Sequence, residues 1–108
     1  VLKSNIGVHK IPLNQLMYVE AQGRKVLYYL ANGEEIVCTD RFSPVCDQLI
    51  QYPEFILAQR SFLVNMNYIR LISTSDMQLQ NGTLLPLAQR RVAEIRKHYL
   101  AFQMEEIP

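Results

Sequence analysis

The chain has 108 residues, the length of one domain, and is 49% hydrophobic and 19% charged, an ordinary globular composition that excludes disorder along most of its length. A chain of this size buries roughly 60–70% of the surface its unfolded form exposes, enough for a real core. The net charge of +1 excludes binding to a polyanion through overall charge alone, and the lack of a long apolar run or a signal peptide excludes a membrane-spanning helix.

The charge is unevenly distributed. Residues 58–98 hold Arg60, Arg70, Arg90, Arg91, Arg96 and Lys97 against only Asp76 and Glu94, while residues 1–57 are slightly acidic and the tail carries Glu105 and Glu106. Cys38 and Cys46 are too few for a disulfide framework and match no metal-ligand spacing, so both read as free thiols suited to a reducing cytoplasm. The chain begins at Val1 without a methionine, which fits a piece of a longer protein.

Taken in order, the first strands are "LMYVE" (16–20) and "VLYYL" (26–30), reversing through "AQGRK" (21–25). "ANGE" (31–34) then leads to "EIVC" (35–38). Asn32-Gly33 matches a two-residue type I′ hairpin, which sets Tyr29 opposite Ile36. A short helix is expected over 43–51, with Ser43 as cap and Pro44 in the first helical place. Val45 and Leu49 then share one face, and Cys46 and Ile50 another.

"ILAQRSFLVN" (56–65) is the most strand-like run, yet it carries Gln59, Arg60 and Ser61 in its middle. In an unbroken strand Arg60 points away from the faces of Gln59 and Ser61 and guards an edge against aggregation. A bend at Gln59–Ser61 instead presents Arg60 and the Ser61 hydroxyl to a partner. "NMN" (65–67) separates this run from "YIRLIS" (68–73). "QNGT" (80–83) joins "MQL" to "LLPL" as a second Asn-Gly hairpin, with Leu79 opposite Leu84. From about Gln89 to Phe102, Val92, Ile95, Tyr99 and Phe102 recur at spacings of three and four, the stripe of a helix packed on a sheet. Short strands with close-set turns make the fold mainly β.

Three sites hold cations in awkward places. Arg24 and Lys25 project from a tight reversal, and Arg60 interrupts an apolar run. Arg90 and Arg91 stand where the last helix begins, although a helix N-terminus disfavours positive charge. An external anion reconciles the last pair, because backbone N–H groups at a helix start and guanidinium groups both favour phosphate. Catalysis has little support. His9 and His98 stand apart from any nucleophile or ligand pattern, and no nucleotide-binding glycine motif or G-x-S-x-G is present.

The stretches "IPLNQLMYVEAQGRKVLYYLANGEEIV", "FILAQRSFLVNMNYIRLI" and "MQLQNGTLLPLAQRRVAEIR" together resemble the LytTR DNA-binding domain, the output module of many bacterial response regulators, from about Ile11 to Lys97. The most specific part is "RSFLVNMNYI" followed by "LQNGTLLPL" and a basic helix start. The resemblance implies an elongated stack of small antiparallel sheets with two short helices. It also implies that loops, not a recognition helix, reach two successive major grooves of double-stranded DNA and touch the backbone between them.

The family's contact positions fall on Arg24 and Lys25, on Arg60 with Gln59 and Ser61 beside it, and on Arg90 and Arg91. By this reading Arg60 and Arg90 read bases, Lys25 and Arg91 meet phosphates, and Arg24 does either. Two departures stand out: Gln59 occupies a place where the family often has histidine, and Ala88-Gln89 replace a common serine before the terminal basic run. The resemblance further implies an upstream receiver or other signalling domain, binding to paired repeats as two copies, and no cofactor. The alternative is a β-rich protein–protein interaction module whose edge strands and basic turns form its contact surface.

Overall fold

The computed structural model describes residues 2–4, 7–9 and 11–106; the side chain of His9 and the first residue, Val1, lie outside what it describes. In chain order the strands are β1 (Leu2–Ser4), β2 (Gly7–His9), β3 (Leu16–Gln22), β4 (Lys25–Leu30) and β5 (Glu35–Thr39). Helix α1 (Phe42–Leu49) follows, then β6 (Phe55–Gln59), β7 (Phe62–Asn65), β8 (Ile69–Ile72), β9 (Asp76–Leu79), β10 (Leu84–Pro86) and helix α2 (Val92–Glu106). The protein is mainly β, as its strand-and-turn pattern implies. A five-stranded sheet has the order β5-β4-β3-β7-β6, a three-stranded sheet the order β10-β9-β8, and β1 pairs with β2. All of these pairings are antiparallel.

Alternating side chains give the five-stranded sheet two apolar faces. On one face Leu16, Val19, Val26, Tyr28, Ile36, Cys38 and Leu63 pack with Val45, Cys46 and Leu49 of α1. On the other, Tyr18, Ile56, Ala58 and Val64 pack with Met77, Leu79 and Leu85 of the smaller sheet and with Ile95 of α2. The central sheet is therefore covered on both sides. Burying residues such as Leu63 and Val64 completely contributes about 1.5–3 kcal/mol each. A register shift between Leu16 and Tyr18 marks a bulge that turns Met17 and Tyr18 to the same core.

Both Asn-Gly hairpins differ from the expected register by one residue. Tyr28, not Tyr29, faces Ile36, and Tyr29 faces Glu35. Likewise Leu84 faces Gln78, not Leu79. The cause is backbone geometry. Gly33 and Gly82 have φ of 93° and 90°, but no non-glycine residue has positive φ among the described residues, so neither asparagine adopts the type I′ conformation. Each asparagine instead accepts a hydrogen bond two residues on: Asn32 Oδ1 from the Glu34 amide at 2.8 Å, and Asn81 Oδ1 from the Thr83 amide at 3.0 Å. The loops hold three residues, and the glycine alone takes the left-handed place.

The helices also start differently from expectation. In α1 the cap position is Arg41, with no side-chain cap bond, so Ser43 lies inside the first turn and Pro44 follows it. Pro44 is tolerated there because first-turn amides have no intrahelical partner. Ile50 caps the C-terminus and is exposed. Residues Gln89–Arg91 form a 3₁₀ turn ahead of α2, which then runs past Phe102 to Glu106. Val92, Ile95, Tyr99 and Phe102 all face the core, as their spacing implies. The Tyr99 hydroxyl donates to the Ile69 carbonyl at 3.2 Å and ties α2 to β8.

Candidate nucleic-acid interface

The strand-like run 56–65 is a hairpin, not one strand. β6 ends at Gln59 and β7 begins at Phe62, with Gln59 opposite Phe62, so Arg60 and Ser61 form a two-residue turn. Of the two readings of Arg60, the bend is the one observed. Apolar neighbours hold it in place: Ile56 and Ala58 before it, and Leu63 and Val64 after it, are buried. Arg60 itself is exposed.

The Arg24 turn is built in the same way. Gln22 pairs with Lys25, leaving Gly23 and Arg24 as the loop. Gly23 has φ of 58°, and glycine in the first loop place is what a type II′ turn uses. Arg24 and Lys25 are both exposed.

Sheet topology brings these turns together. β3 lies between β4 and β7, and the Ala21 amide donates to the Ser61 carbonyl at 2.9 Å. The 23–24 and 60–61 turns therefore leave the same end of the sheet. Two strand spacings, about 10 Å, separate them, less than the roughly 12 Å width of a major groove.

The third cationic site joins at the β6 edge. Gln59 Nε2 donates to the Pro86 carbonyl at 2.9 Å, the Ala88 amide reaches the Ala58 carbonyl at 3.5 Å, and the Arg91 guanidinium donates to the Leu57 carbonyl. Segment 86–91 thus lies along β6, with Pro86 level with Gln59 next to the Arg60 turn and Arg91 level with Leu57, and Arg90 on this segment is exposed. The absence of a hydroxyl at Ala88 shows directly: this turn has no side-chain cap bond.

The seven residues singled out in the sequence lie on these two turns and on the segment packed along β6, in two groups. Arg24, Lys25, Arg60 and Arg90 are exposed. Gln59, Ser61 and Arg91 are half-buried, and the two long side chains among them bond within the protein.

Arg41 is not among those seven. The Asp40 amide reaches the Arg24 carbonyl at 3.3 Å, which sets the exposed Arg41 at the same end. In the sequence its charge is masked by the adjacent Asp40. In the fold an Asp40 carboxylate oxygen accepts from the Arg41 amide at 2.7 Å. Glu20, the other nearby acid, is held by the Tyr29 hydroxyl and Gln22 Nε2, each at 3.1 Å. Burial, and then the Glu20 charge, push the Tyr29 phenol above its ordinary range, so it remains a donor.

The opposite end of the sheet carries Glu34 and Glu35 at the β4–β5 hairpin and Glu54 ahead of β6, whose carbonyl accepts from the Met66 amide. One end of the sheet is basic and the other acidic. Such a field orients an approaching polyanion even when the net charge is small. Among the described residues no group of three or more metal-ligating side chains occurs, and no helix is long and apolar enough to cross a membrane.

This combination of a layered antiparallel scaffold and cationic turns at one end is that of a DNA-binding module. The family model of the LytTr DNA-binding domain matches residues 7–100, and the chain belongs to that family. Membership supports DNA binding and a place in transcription regulation. Among solved structures, the chain resembles the LytTr DNA-binding domain of a protein from Bacillus cereus described as a methyl-accepting/DNA response regulator. The TM-score is 0.75 at 25% identity, over 90% of this chain and 92% of that one. No curated protein matches the chain.

Proposed function

We propose that the chain binds double-stranded DNA sequence-specifically, as the output domain of a two-component response regulator in the cytoplasm. Turns at the basic end of the sheet contact successive major grooves and the backbone between them. Arg60 and Arg90 read base edges, with the bidentate pairing of arginine to guanine as the natural chemistry. Lys25 contacts phosphate, and Arg24 and Arg41 serve either role. The upstream partner is a receiver or other signalling domain, and the target is a pair of repeats bound by two copies.

The observation that carries this reading is the convergence of the 23–24, 60–61 and 86–91 segments on one end of a rigid sheet. Each is anchored by buried neighbours, while its arginine is left exposed. Contacts mounted on a packed scaffold keep their mutual spacing, which sequence reading requires.

The test is selection of bound duplexes from a random pool, followed by gel shifts with competitor DNA. A recovered consensus with two evenly spaced half-sites is the expected result. Binding to no duplex at low salt overturns the proposal and favours a protein-binding role for the same turns.

A further inference from the structure

Arg90 and Arg91 are neighbours in sequence but not equivalent in the fold. Arg90 is exposed; Arg91 is half-buried, with a side-chain exposure of 31%. The Arg91 guanidinium donates to the Leu57 carbonyl, 34 residues earlier in the chain, and its Nε lies 3.9 Å from Glu94 Oε2. Part of its hydrogen-bonding fork is thus occupied, and part of its charge is offset.

Gln59 is engaged from the other direction. It sits in the β6 hairpin and donates across to the Pro86 carbonyl, 27 residues later. Between these two contacts lies the long bond from the Ala88 amide to the Ala58 carbonyl. Three successive residues of β6, Leu57, Ala58 and Gln59, are therefore each tied to segment 86–91.

The location makes these ties consequential. β6 is an edge strand of the five-stranded sheet, and a register shift between Leu57 and Gln59 leaves Ala58 as the extra residue of a bulge. A bulge interrupts ladder bonding and bends its strand, so groups there need other partners. Segment 86–91 supplies them. With no side-chain cap at Ala88, the start of the 3₁₀ turn depends on Arg91 and the backbone for its placement.

We propose that Arg91 and Gln59 are positioning residues, not DNA contacts: they lash the Arg60 turn to the segment bearing Arg90 and set the spacing of those two cations. The inference rests on the DNA-binding reading above. Its consequence is that losing Arg91 weakens specific binding without removing a phosphate contact.

Two measurements separate the roles. The first is the slope of log K against log salt for a duplex selected by the native chain, compared for Lys25→Met and Arg91→Met. A phosphate contact contributes about 0.9 to that slope. The second is amide hydrogen exchange of the free protein at Ala88 and residues 57–61. Arg91→Met is expected to lower affinity about tenfold or more, keep the native slope and speed exchange at Ala88. Lys25→Met, which removes a phosphate contact, makes the slope shallower by about 0.9 and leaves exchange unchanged.

Gln59→Met cuts the other tie without touching α2 and is expected to speed the same exchange, so the test survives if Arg91→Met does not fold. Arg91→Met with a slope shallower by about 0.9 and native exchange at Ala88 overturns the proposal and makes Arg91 a phosphate contact. A native chain that selects no duplex sinks the DNA-binding reading and this inference together. A native chain that binds, with Arg91→Met and Gln59→Met both exchanging normally, sinks this inference alone.

Discussion

Asn65 Nδ2 donates to the Leu16 carbonyl at 3.1 Å, joining two residues 49 positions apart in the chain at a site where Asn65 is wholly buried. Its Oδ1 accepts from the Asn67 amide at 3.0 Å and caps the 3₁₀ turn Met66–Tyr68. One amide thus satisfies a strand start and a turn start together. Asn65→Ala loses both bonds and leaves a cavity, at a cost of about 2–4 kcal/mol. Urea unfolding measures it. A loss below about 0.5 kcal/mol, the range of an uninvolved surface position, contradicts the assignment.

Gly82 ends the β9–β10 loop at φ 90°, and a Cβ at this position would meet no other atom within 4 Å. Space is therefore not the obstacle to substitution; backbone conformation is. Gly82→Ala should destabilise by about 1–3 kcal/mol, and Gly82→Asn by less, because asparagine tolerates the left-handed region better. Equal stability of all three in thermal unfolding would show that the loop relaxes into another turn.

Arg60→Ala tests base reading. The variant is expected to lose about 1–3 kcal/mol on the selected duplex and far less on a scrambled one. Arg70→Ala, on β8 of the smaller sheet, serves as the control and should leave both affinities near native. A uniform loss on every sequence demotes Arg60 to a backbone contact.

Alkali should unfold the protein. Burial, followed by the Asp47 charge, pushes the Cys46 thiol up to about 11, and burial likewise raises Cys38, Tyr18, Tyr28 and Tyr29. An acid whose pKa is higher in the folded state contributes stability that is whole below its unfolded value and lost as pH rises through the folded one. With an unfolded thiol near about 8.5, the Cys46 contribution is intact at pH 7 and fades between about pH 8.5 and 11. The urea midpoint at pH 7, 9 and 10.5 should fall in that order, and both thiols should react slowly with a thiol reagent at pH 7. Rapid modification of Cys46 in native buffer would contradict this account of its surroundings.

Much of this architecture is legible in the sequence because its signals are local. The stripe Val92–Ile95–Tyr99–Phe102 marks α2, and cations in a reversal, an apolar run and a helix start mark the basic end. The resemblance supplies the family, and the structural match agrees with it. Hairpin register is less legible. Asn-Gly permits both a two-residue loop and a three-residue loop with a left-handed glycine, and packing of Tyr28 rather than Tyr29 into the α1-facing core decides between them.

The different engagement of Arg90 and Arg91 is not legible at all. It depends on a carbonyl 34 residues away, exposed by a bulge that no local pattern announces. Arg41 is hidden for a related reason: the fold, not the sequence, brings it beside Arg24.

The most direct measurement of the central claim is the salt dependence of DNA affinity. Arg24, Lys25, Arg41, Arg60 and Arg90 are all exposed, so about four of these five cations are available to displace counterions. The slope of log K against log salt on a selected duplex should then lie near roughly −3 to −4. It should become shallower by about 0.9 for each of these residues that contacts phosphate and is neutralised. An affinity that does not change with salt, or a slope left intact when all five are neutralised, would contradict the account.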